Sequence, residues 1–522
     1  MVSNLKEKTT SKRNSAFAEL GFKATIEALK AEVQDLYCSD SVPWIVGYSG
    51  GKDSTTVLQL VWLALLGLPA EKRLKPVHVI STDTLVENPV VAAWVRRSLE
   101  MMKAVATECG VPVIPHRLTP KIEDSFWVNL IGKGYPAPRH KFRWCTDRLK
   151  ISPSNEFLSN LVKETGRALL LLGTRKAESS ARSRNMAKHE KGRWRNKISP
   201  NAGQPGTHIY SPIEDWQNDD VWFFLMQVAN PWNHDNKELM SMYAGATEGG
   251  ECPLVVDTST PSCGSSRFGC WVCTMVESDK SMTAMVQNDL EKEWMAPLLK
   301  LRNMIDFRGK GQEPLYPDSD KHLRDFRRIT GMVQLFHGDP IHGPYRQDVR
   351  QLWFREVLQV QTWIKAHSPA EVRGVELLTL GEIEEIRRIW VMEKHEIEDS
   401  LPSIYQEATG NPYPGRRLDD NLVLGSEEMK LLQDVCGDDR LHYELTRELL
   451  SVERQQRSQG RRAGLYERLD KTFKKHFYSG EADATNYARR RWAKREAAKV
   501  GDLASLKGDG DVSGATRQEC AP

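Results

Sequence analysis

Residues 44–54 read WIVGYSGGKDS, an apolar strand followed by a turn of glycines and small hydroxyl residues. The next six residues, TTVLQL, have helical character. Gly50 and Gly51 let the backbone approach an anion without a Cβ clash, and backbone N–H groups at a helix start favour negative charge. Lys52 adds a positive charge, and the flanking serines add hydroxyl donors. The stretch therefore predicts a strand, turn and helix that bind phosphate.

This turn departs from the Walker A loop, which requires Gly-x-x-x-x-Gly-Lys-Ser/Thr. Val46 stands at the first glycine position, and Asp53 follows the lysine. The turn resembles instead the SGGxDS loop of the PP-loop ATP pyrophosphatase superfamily. That resemblance implies binding of ATP with Mg²⁺, cleavage between its α and β phosphates, and adenylation of an acceptor oxygen. A glycine-rich turn without a ligand is the alternative.

Composition limits the class of protein. With 522 residues the chain is too long for one ordinary core, so two or three domains are expected. Its 27% charged and 40% hydrophobic residues are globular values. The N-terminal residues lack the apolar core of a secretory signal, and no apolar run reaches the ~20 residues that span a bilayer. We therefore expect a cytoplasmic protein.

Net charge and cysteine content add two further expectations. A net charge of +3 is too small to indicate a nucleic-acid partner by itself. The nine cysteines are an odd number, which favours metal or redox chemistry over a disulfide framework.

Short apolar strands alternate with helical stretches from residue 43 to about residue 230. This alternation predicts an α/β fold with a parallel sheet and helices on both faces. The predicted strands are 44–48, 77–82, 112–116 and 168–173, preceded by an amphipathic helix at about 16–37. Because parallel strands end at one edge of the sheet, the loops that follow them should line one crevice.

Composition divides the chain into five segments. They are an N-terminal arm and helix (1–40), a PP-loop ATP-binding domain (41–235), a Cys-rich segment (236–284), a helical C-terminal domain (285–500) and a disordered tail (501–522).

Two further loops carry polar residues at the predicted strand ends. Asp83 follows the second strand, where a carboxylate can accept from a ribose hydroxyl or an adenine amine. Residues 173–182, GTRKAESSAR, follow the strand 168–173. Arg175 and Arg182 in this loop predict a basic edge for a second anion, with structural salt bridges as the alternative.

The order of these motifs is similar to the PAPS reductase branch of the superfamily. That branch carries a G-x-R-x-x-E-S segment, here GTRKAES from residue 173, and a P-[IL]-x-x-W-x-x-x-D-V-[WF] segment, here PIEDWQNDDVW from residue 212. The resemblance implies catalytic roles for Lys52, Asp53, Arg175 and Arg182. It implies a nucleotide site of Ser49, Gly50, Gly51, Lys52, Asp53, Ser54, Asp83, Gly173, Arg175 and Glu178.

Four cysteines are candidate ligands of a metal centre. Cys263, Cys270 and Cys273 follow the pattern C-x6-C-x2-C, and Cys145 stands alone near the predicted crevice. Two thiolates at C-x-x-C spacing can share one metal centre. Together with the resemblance, this spacing favours a [4Fe–4S] cluster. Zinc is the alternative metal, and Cys252 is an alternative ligand to Cys263.

The cysteines also differ from those of cluster-containing adenylyl-sulfate reductases. Those enzymes carry a Cys-Cys pair where this chain has Trp144-Cys145, and they end in Glu-Cys-Gly-Leu-His with a catalytic cysteine. Here the final residues are ECAP, so Cys520 is expected to be incidental. These differences weaken the case for a sulfonucleotide reductase, which remains an alternative.

The C-terminal half is similar to the DndC family of PAPS-reductase-like sulfurtransferases, in the GPYR segment at 343–346 and in residues 377–390. This resemblance implies that a non-bridging oxygen of a DNA backbone phosphate is replaced by sulfur. It implies a cysteine desulfurase as sulfur donor and the Dnd-system proteins DndD and DndE as partners, with the cluster expected to supply or relay the sulfur. An ATP-sensing scaffold of a DNA modification or defence complex is a non-enzymatic alternative, and tRNA thiolation is another enzymatic one.

Two basic stretches suit a DNA substrate. Residues 182–197 are dense in Lys and Arg and include one Trp, which predicts a flexible arm along a phosphate backbone. Residues 441–500 contain fifteen Lys and Arg against eight Asp and Glu. For this second stretch a solvated helix face is an equal alternative.

Overall fold

The structure is a computed structural model that describes residues 15–190, 192–193, 197–247, 268–306, 320–416, 418, 423–457 and 464–508. The chain divides into two compact units. The first comprises Met1–Val128, Ala137–Lys310 and Glu356–Glu382, and the second comprises Asn129–Pro136, Gly311–Arg355 and Ile383–Pro522. The five-segment division stays a prediction.

In its described part, the first unit is built on a six-stranded sheet. The strands are β1 (Trp44–Gly47), β2 (Val77–Thr82), β3 (Val113–Leu118), β4 (Ala168–Leu171), β5 (Ile198–Pro200) and β6 (Thr207–Tyr210). Their order is β3-β2-β1-β4-β6-β5, and all neighbours are parallel except the edge pair β5–β6. The predicted α/β class with a parallel sheet is confirmed.

The helices of the chain follow in order. They are α1 (Phe22–Cys38), α2 (Lys52–Leu66), α3 (Pro89–Cys109), α4 (Ser152–Thr165), α5 (Ser180–Glu190), α6 (Asn218–Gln227), α7 (Asn236–Gly245), α8 (Lys280–Asn288), α9 (Ala296–Ile305), α10 (Gln347–His367), α11 (Leu380–Arg388), α12 (Leu401–Thr409), α13 (Ser426–Cys436), α14 (Arg440–Arg457), α15 (Leu465–His476) and α16 (Glu481–Gly508). Within the described ranges, none of these helices is long and apolar enough to cross a membrane.

Side chains of the central strands alternate between two covered faces of the sheet. Trp44 of β1 packs edge-on against Tyr37 of α1, with ring centroids 5.3 Å apart. The next residue, Ile45, lies in an apolar cluster with Leu158 of α4 and Leu170 of β4. Strands buried on both faces read as continuous apolar runs, which is why the sequence pattern identifies them.

The first helix begins later than the apolar pattern predicts. It starts at Phe22 rather than near residue 16, because Gly21 adopts a φ of +76° that interrupts the helix. The predicted basic arm at 182–197 also differs from the structure: α5 covers residues up to Glu190, so this part of the arm is helical. Residue 191 and residues 194–196 of that stretch lie outside the described residues.

The second unit is mainly helical, as predicted for the C-terminal region. It also contains a small hairpin of β7 (Gln334–Phe336) and β8 (Asp339–Ile341). The helix α16 ends at Gly508, inside the segment 501–522 for which a disordered tail is predicted. Residues 509–522 lie outside the described residues.

Candidate active site

A cavity of about 870 Å³ opens at the carboxyl edge of the parallel strands. The turn between β1 and α2, the ends of β2 and β4, and residues of α3 line it. The structure brings every predicted nucleotide-binding and catalytic residue to this cavity. These residues are Ser49, Gly50, Gly51, Lys52, Asp53, Ser54, Asp83, Gly173, Arg175, Glu178 and Arg182.

The turn after β1 has the geometry of a phosphate cradle. Gly50 adopts a φ of +72°, and a Cβ there would lie 2.4 Å from Cγ2 of Val95. Ser54 Oγ accepts from the Ser49 N–H at 3.2 Å and donates to the Gly51 carbonyl at 3.0 Å. The first backbone N–H groups of α2 have no acceptor within the helix, and the helix dipole adds positive potential there. The turn can therefore bind an anion with backbone groups.

Two aromatic rings support the turn from behind. Trp94 Nε1 of α3 donates to the Gly50 carbonyl at 3.2 Å. The ring of His234 lies against the Trp94 ring, with centroids 3.6 Å apart, and His234 is 1% exposed. The conformation of the turn thus depends on a buried, uncharged imidazole.

Acid is expected to weaken this support. Burial and the positive charge of Arg97 lower the pKa of His234 from 6.5 to about 4. Between these values the unfolded chain binds a proton that the folded protein does not, so stability falls as the pH decreases through this window. The loss contributed by His234 is up to about 3 kcal/mol.

Urea unfolding at pH 7 and pH 4.5 measures this contribution. The wild-type protein should lose more stability than His234→Phe, which keeps an aromatic ring against Trp94 without a titratable group. Equal losses in the two proteins would show that His234 titrates normally.

Two buried cations, Lys52 and Arg175, both contact the carboxylate of Asp53 on the floor of the cavity. Lys52 is 7% exposed, and its Nζ lies 3.6 Å from Asp53 Oδ2. Arg175 Nε donates to Asp53 Oδ1 at 2.7 Å, and its Nη1 donates to the Trp216 carbonyl at 3.2 Å. Burial lowers the pKa of Lys52, against the opposing effect of Asp53. A phosphate group entering the cavity would give both cations a second anionic partner.

The loop after β4 is held by Glu178. Its Oε1 accepts from the Arg175 N–H at 3.1 Å, and its Oε2 accepts from Arg182 Nη1 at 2.7 Å. Arg175 and Arg182 therefore form salt bridges, as the alternative interpretation expected, and they line the cavity as well. Their contact with a ligand stays a prediction.

Asp83 has internal partners in this structure. Its Oδ1 accepts from the Leu85 N–H at 2.8 Å, and its Oδ2 accepts from Arg117 Nε and Nη2 at 2.9 and 2.6 Å. The carboxylate thus positions Arg117 at the cavity. Acceptance from a ribose or an adenine by Asp83 stays a prediction.

Three cations of the cavity were not among the predicted site residues, although the loop that begins at Arg117 was predicted to line the crevice and Lys150 to lie beside it. Arg117 lies in β3 and pairs with Asp83, and Lys150 Nζ lies 3.4 Å from Glu87 Oε1. Arg96 of α3 lines the cavity and has no carboxylate within 4.0 Å among the described residues. Arg117 directly follows the predicted strand 112–116. This position after a parallel strand is the sequence signal that could have identified Arg117 as a site residue.

Three of the four candidate metal ligands gather in a corner beside the cavity. Cys270 Sγ lies 3.3 Å from Thr84 Oγ1, and the Cys273 N–H donates to the Cys270 carbonyl at 3.0 Å. Burial, and to a lesser extent the nearby Cys273, raises the pKa of Cys145. Cys145 and Cys273 therefore lie within electrostatic range of each other.

The donor chemistry of this corner suits iron or zinc, since thiolates bind both. The set is incomplete in the structure: among the described residues, no group of three or more His, Cys, Asp or Glu side chains is arranged to hold a metal ion. Cys263, Cys252 and Cys520 lie outside the described residues.

Comparisons with known proteins agree with this arrangement. Residues 43–275 match the family model of the phosphoadenosine phosphosulfate reductase domain. An uncharacterised protein of Methanocaldococcus jannaschii, MJ0066, is 26% identical over 201 residues, which is 38% of this chain. The match covers 35% of the length of that curated relative, so the chain spans about a third of it.

Among solved structures, the phosphate complex of phosphoadenylyl-sulfate (PAPS) reductase from Candida auris is similar to part of this chain. It is 17% identical with a TM-score of 0.25, and the match covers 41% of this chain and 89% of that chain. On the family match, residues 43–275 are similar to the phosphoadenosine phosphosulfate reductase domain.

Proposed function

We propose that this protein is an ATP-dependent sulfurtransferase that replaces a non-bridging oxygen of a DNA backbone phosphate by sulfur. The observation that supports it most is the convergence of Lys52 and Arg175 on Asp53, beneath a backbone anion cradle. The cavity of about 870 Å³ is at the upper end of the range for small-molecule sites, so it has room for a nucleotide and an acceptor group. The DNA acceptor comes from the resemblance of the C-terminal half.

The chemistry requires activation of the phosphate oxygen. An unactivated phosphodiester oxygen leaves poorly, because its departure would release oxide or hydroxide. Attack of this oxygen on the α phosphorus of ATP breaks the bond to the β phosphate, releases pyrophosphate and forms a phosphate–AMP anhydride. Hydrosulfide then attacks the DNA phosphorus, and AMP leaves with the oxygen. DNA phosphodiester, ATP and hydrosulfide thus give phosphorothioate, AMP and pyrophosphate.

The residues of the cavity match the needs of the first step. Negative charge develops on the leaving pyrophosphate, and preorganised N–H groups and cations stabilise it best in a site shielded from water. Lys52, Arg175 and the turn after β1 supply these groups. Asp53 and Glu178 add carboxylate oxygens of the kind that Mg²⁺ accepts alongside phosphates.

Sulfur delivery is the second half of the proposal. Cys145, Cys270 and Cys273, with Cys263 as the fourth predicted ligand, would hold a [4Fe–4S] cluster, which when bound supplies sulfur or electron chemistry beside the cavity. A cysteine desulfurase provides the sulfur as a persulfide, and a second thiol releases it as sulfide by forming a disulfide. We further propose a cytoplasmic location and DndD and DndE as partners.

Anaerobic purification with metal and acid-labile sulfide analysis tests the cluster. About four irons and four sulfides per chain are expected, with broad visible absorbance. A colourless protein with one zinc per chain would contradict the cluster. ATP cleavage would then be tested separately by the pyrophosphate assay.

Two rival functions give different results in parallel assays. A sulfonucleotide reductase would form sulfite from adenylyl sulfate and would lose this activity on Cys520→Ser. An ATP-sensing scaffold would bind ATP without releasing pyrophosphate.

Arg96 is expected to bind the acceptor phosphate, since it is the lining cation that lacks a carboxylate in the described residues. A hydrogen bond to a charged group contributes about 1.5–3 kcal/mol, so Arg96→Gln should raise the DNA concentration for half-maximal pyrophosphate release at least about tenfold. The KM for ATP should change less than twofold.

Lys103 of the same helix supplies the matched control. It is exposed and does not line the cavity, so Lys103→Gln should leave both constants unchanged. An equal rise in both constants for Arg96→Gln would place Arg96 in the nucleotide site.

A further inference from the structure

The helix α16 carries an exposed basic segment in the second compact unit. Residues 489–495 read RRRWAKR, five cations and a tryptophan without an acidic residue. All seven residues are exposed, and Trp492 has 56% of its surface accessible. A helix stretch that buries nothing gains little from tertiary packing, so its composition calls for another explanation.

Internal electrostatics do not explain these cations. Arg490, Lys494 and Arg495 have no carboxylate within 4.0 Å in the part of the chain that the structure describes. Basic residues of the preceding helix α15 differ, because Lys474 pairs with Asp470 and Lys475 with Glu448. The helix dipole favours cations within the last turn, yet α16 continues to Gly508.

The cations form one stripe along the helix. Tyr487, Arg490, Arg491, Lys494 and Arg495 occupy positions i, i+3, i+4, i+7 and i+8, which lie on one helical face. At 1.5 Å per residue the stripe is about 12 Å long. Tyr487 is 43% exposed and contacts Phe477, itself 51% exposed, with ring centroids 5.2 Å apart. The stripe therefore begins at an exposed aromatic edge.

We infer that this stripe docks on the sugar-phosphate backbone of duplex DNA. The inference deepens the proposed function, since it names the surface that holds the DNA substrate. Regularly spaced phosphates suit cations at successive helical turns, and the major groove admits an α-helix. A helix on a membrane surface needs a broad apolar face, which residues 486–498 lack.

Fluorescence anisotropy with a labelled 20-base-pair duplex and the full-length protein tests the inference. The triple variant Arg490→Gln, Lys494→Gln and Arg495→Gln keeps helix-forming residues and loses three charges. We expect its Kd at 0.1 M salt to rise at least tenfold. The slope of log K against log salt should decrease by about 2.7, because each lost phosphate contact contributes about 0.9.

Two controls separate charge from folding. Lys23→Gln, Lys72→Gln and Lys103→Gln remove three exposed charges from the first unit and should change Kd less than twofold. Arg490→Lys with Arg495→Lys keeps the charges and should keep the binding. Unchanged Kd and slope in the triple Gln variant would overturn the inference, as would displacement of DNA by polyglutamate or by phosphatidylglycerol vesicles at equal charge concentration.

DNA binding is measured without ATP, so it is independent of the proposed chemistry. A Lys52→Met protein should bind the duplex like the wild type. If the wild type binds DNA through the stripe but transfers no sulfur, the proposed function fails and the docking surface stands. If the wild type transfers sulfur to DNA and the triple variant binds DNA as tightly as the wild type, the stripe is not the docking surface and the proposed function stands.

Discussion

Lys52→Met is expected to lower the rate of pyrophosphate release about 100- to 1000-fold, the usual cost of removing one group that stabilises transition-state charge. The reason is geometric: the Lys52 ammonium is buried beside Asp53, at the start of the helix that forms the anion cradle. Methionine has a similar length and no charge. Because burial already disfavours the ammonium, shown by its lowered pKa, the fold should tolerate the change. Rates with saturating ATP and DNA measure the effect.

Lys75→Met is the matched control for removing a buried lysine. Burial lowers the pKa of Lys75 as well, but Lys75 pairs with Asp40 and does not line the cavity. This variant should lose stability in urea, because Asp40 loses the ion pair with Lys75 whereas Asp53 keeps Arg175 in Lys52→Met, and it should keep its catalytic rate. A Lys52→Met protein whose rate stays within tenfold of the wild type would remove Lys52 from the catalytic machinery.

Gly173→Ala is expected to impair both stability and ATP binding. A Cβ at Gly173 would lie 2.6 Å from the Asp53 carbonyl oxygen and 2.7 Å from its carbon. Both atoms belong to the backbone of the first turn of α2, so that turn must move away from the end of β4. Overpacking of this kind costs about 1–3 kcal/mol. The displaced cradle should weaken ATP binding at least tenfold, measured by calorimetry beside urea unfolding.

Gly374→Ala controls for the loss of a glycine in the same unit. Nothing lies within 4 Å of a Cβ built there, so stability should stay the same or rise slightly. If Gly173→Ala matched this control in stability and in ATP affinity, the close approach of β4 and α2 would not matter for the site.

Burial explains how much of the fold the sequence predicts. All four residues of β4 are buried, and such central strands read as short, continuous apolar runs. The strand β6, Thr207–Tyr210, mixes polar and apolar residues over four positions and was missed. The helix α5 has no buried residue, so it lacks the apolar periodicity that would have separated it from a flexible arm.

The residues of the cavity likewise divide into those that the sequence predicts and those that it does not. Residues in loops after parallel strands could be placed at one crevice, because strand order brings those loops together. Arg96 and Lys150 lie on helical segments, where the direction of a side chain depends on tertiary packing. Arg96 faces the cavity because Val91 and Leu99 of the same helix are buried around it. A single sequence carries no local signal for that rotation.

The most direct test combines two measurements on one reaction. Anaerobic protein is incubated with duplex DNA, ATP, a cysteine desulfurase and cysteine, and pyrophosphate is quantified beside phosphorothioate dinucleotides released by nuclease digestion. The proposed function predicts DNA-dependent pyrophosphate release with one pyrophosphate for each phosphorothioate, and loss of both in Lys52→Met. Pyrophosphate release that ignores DNA, or phosphorothioate formation without ATP cleavage, would contradict it.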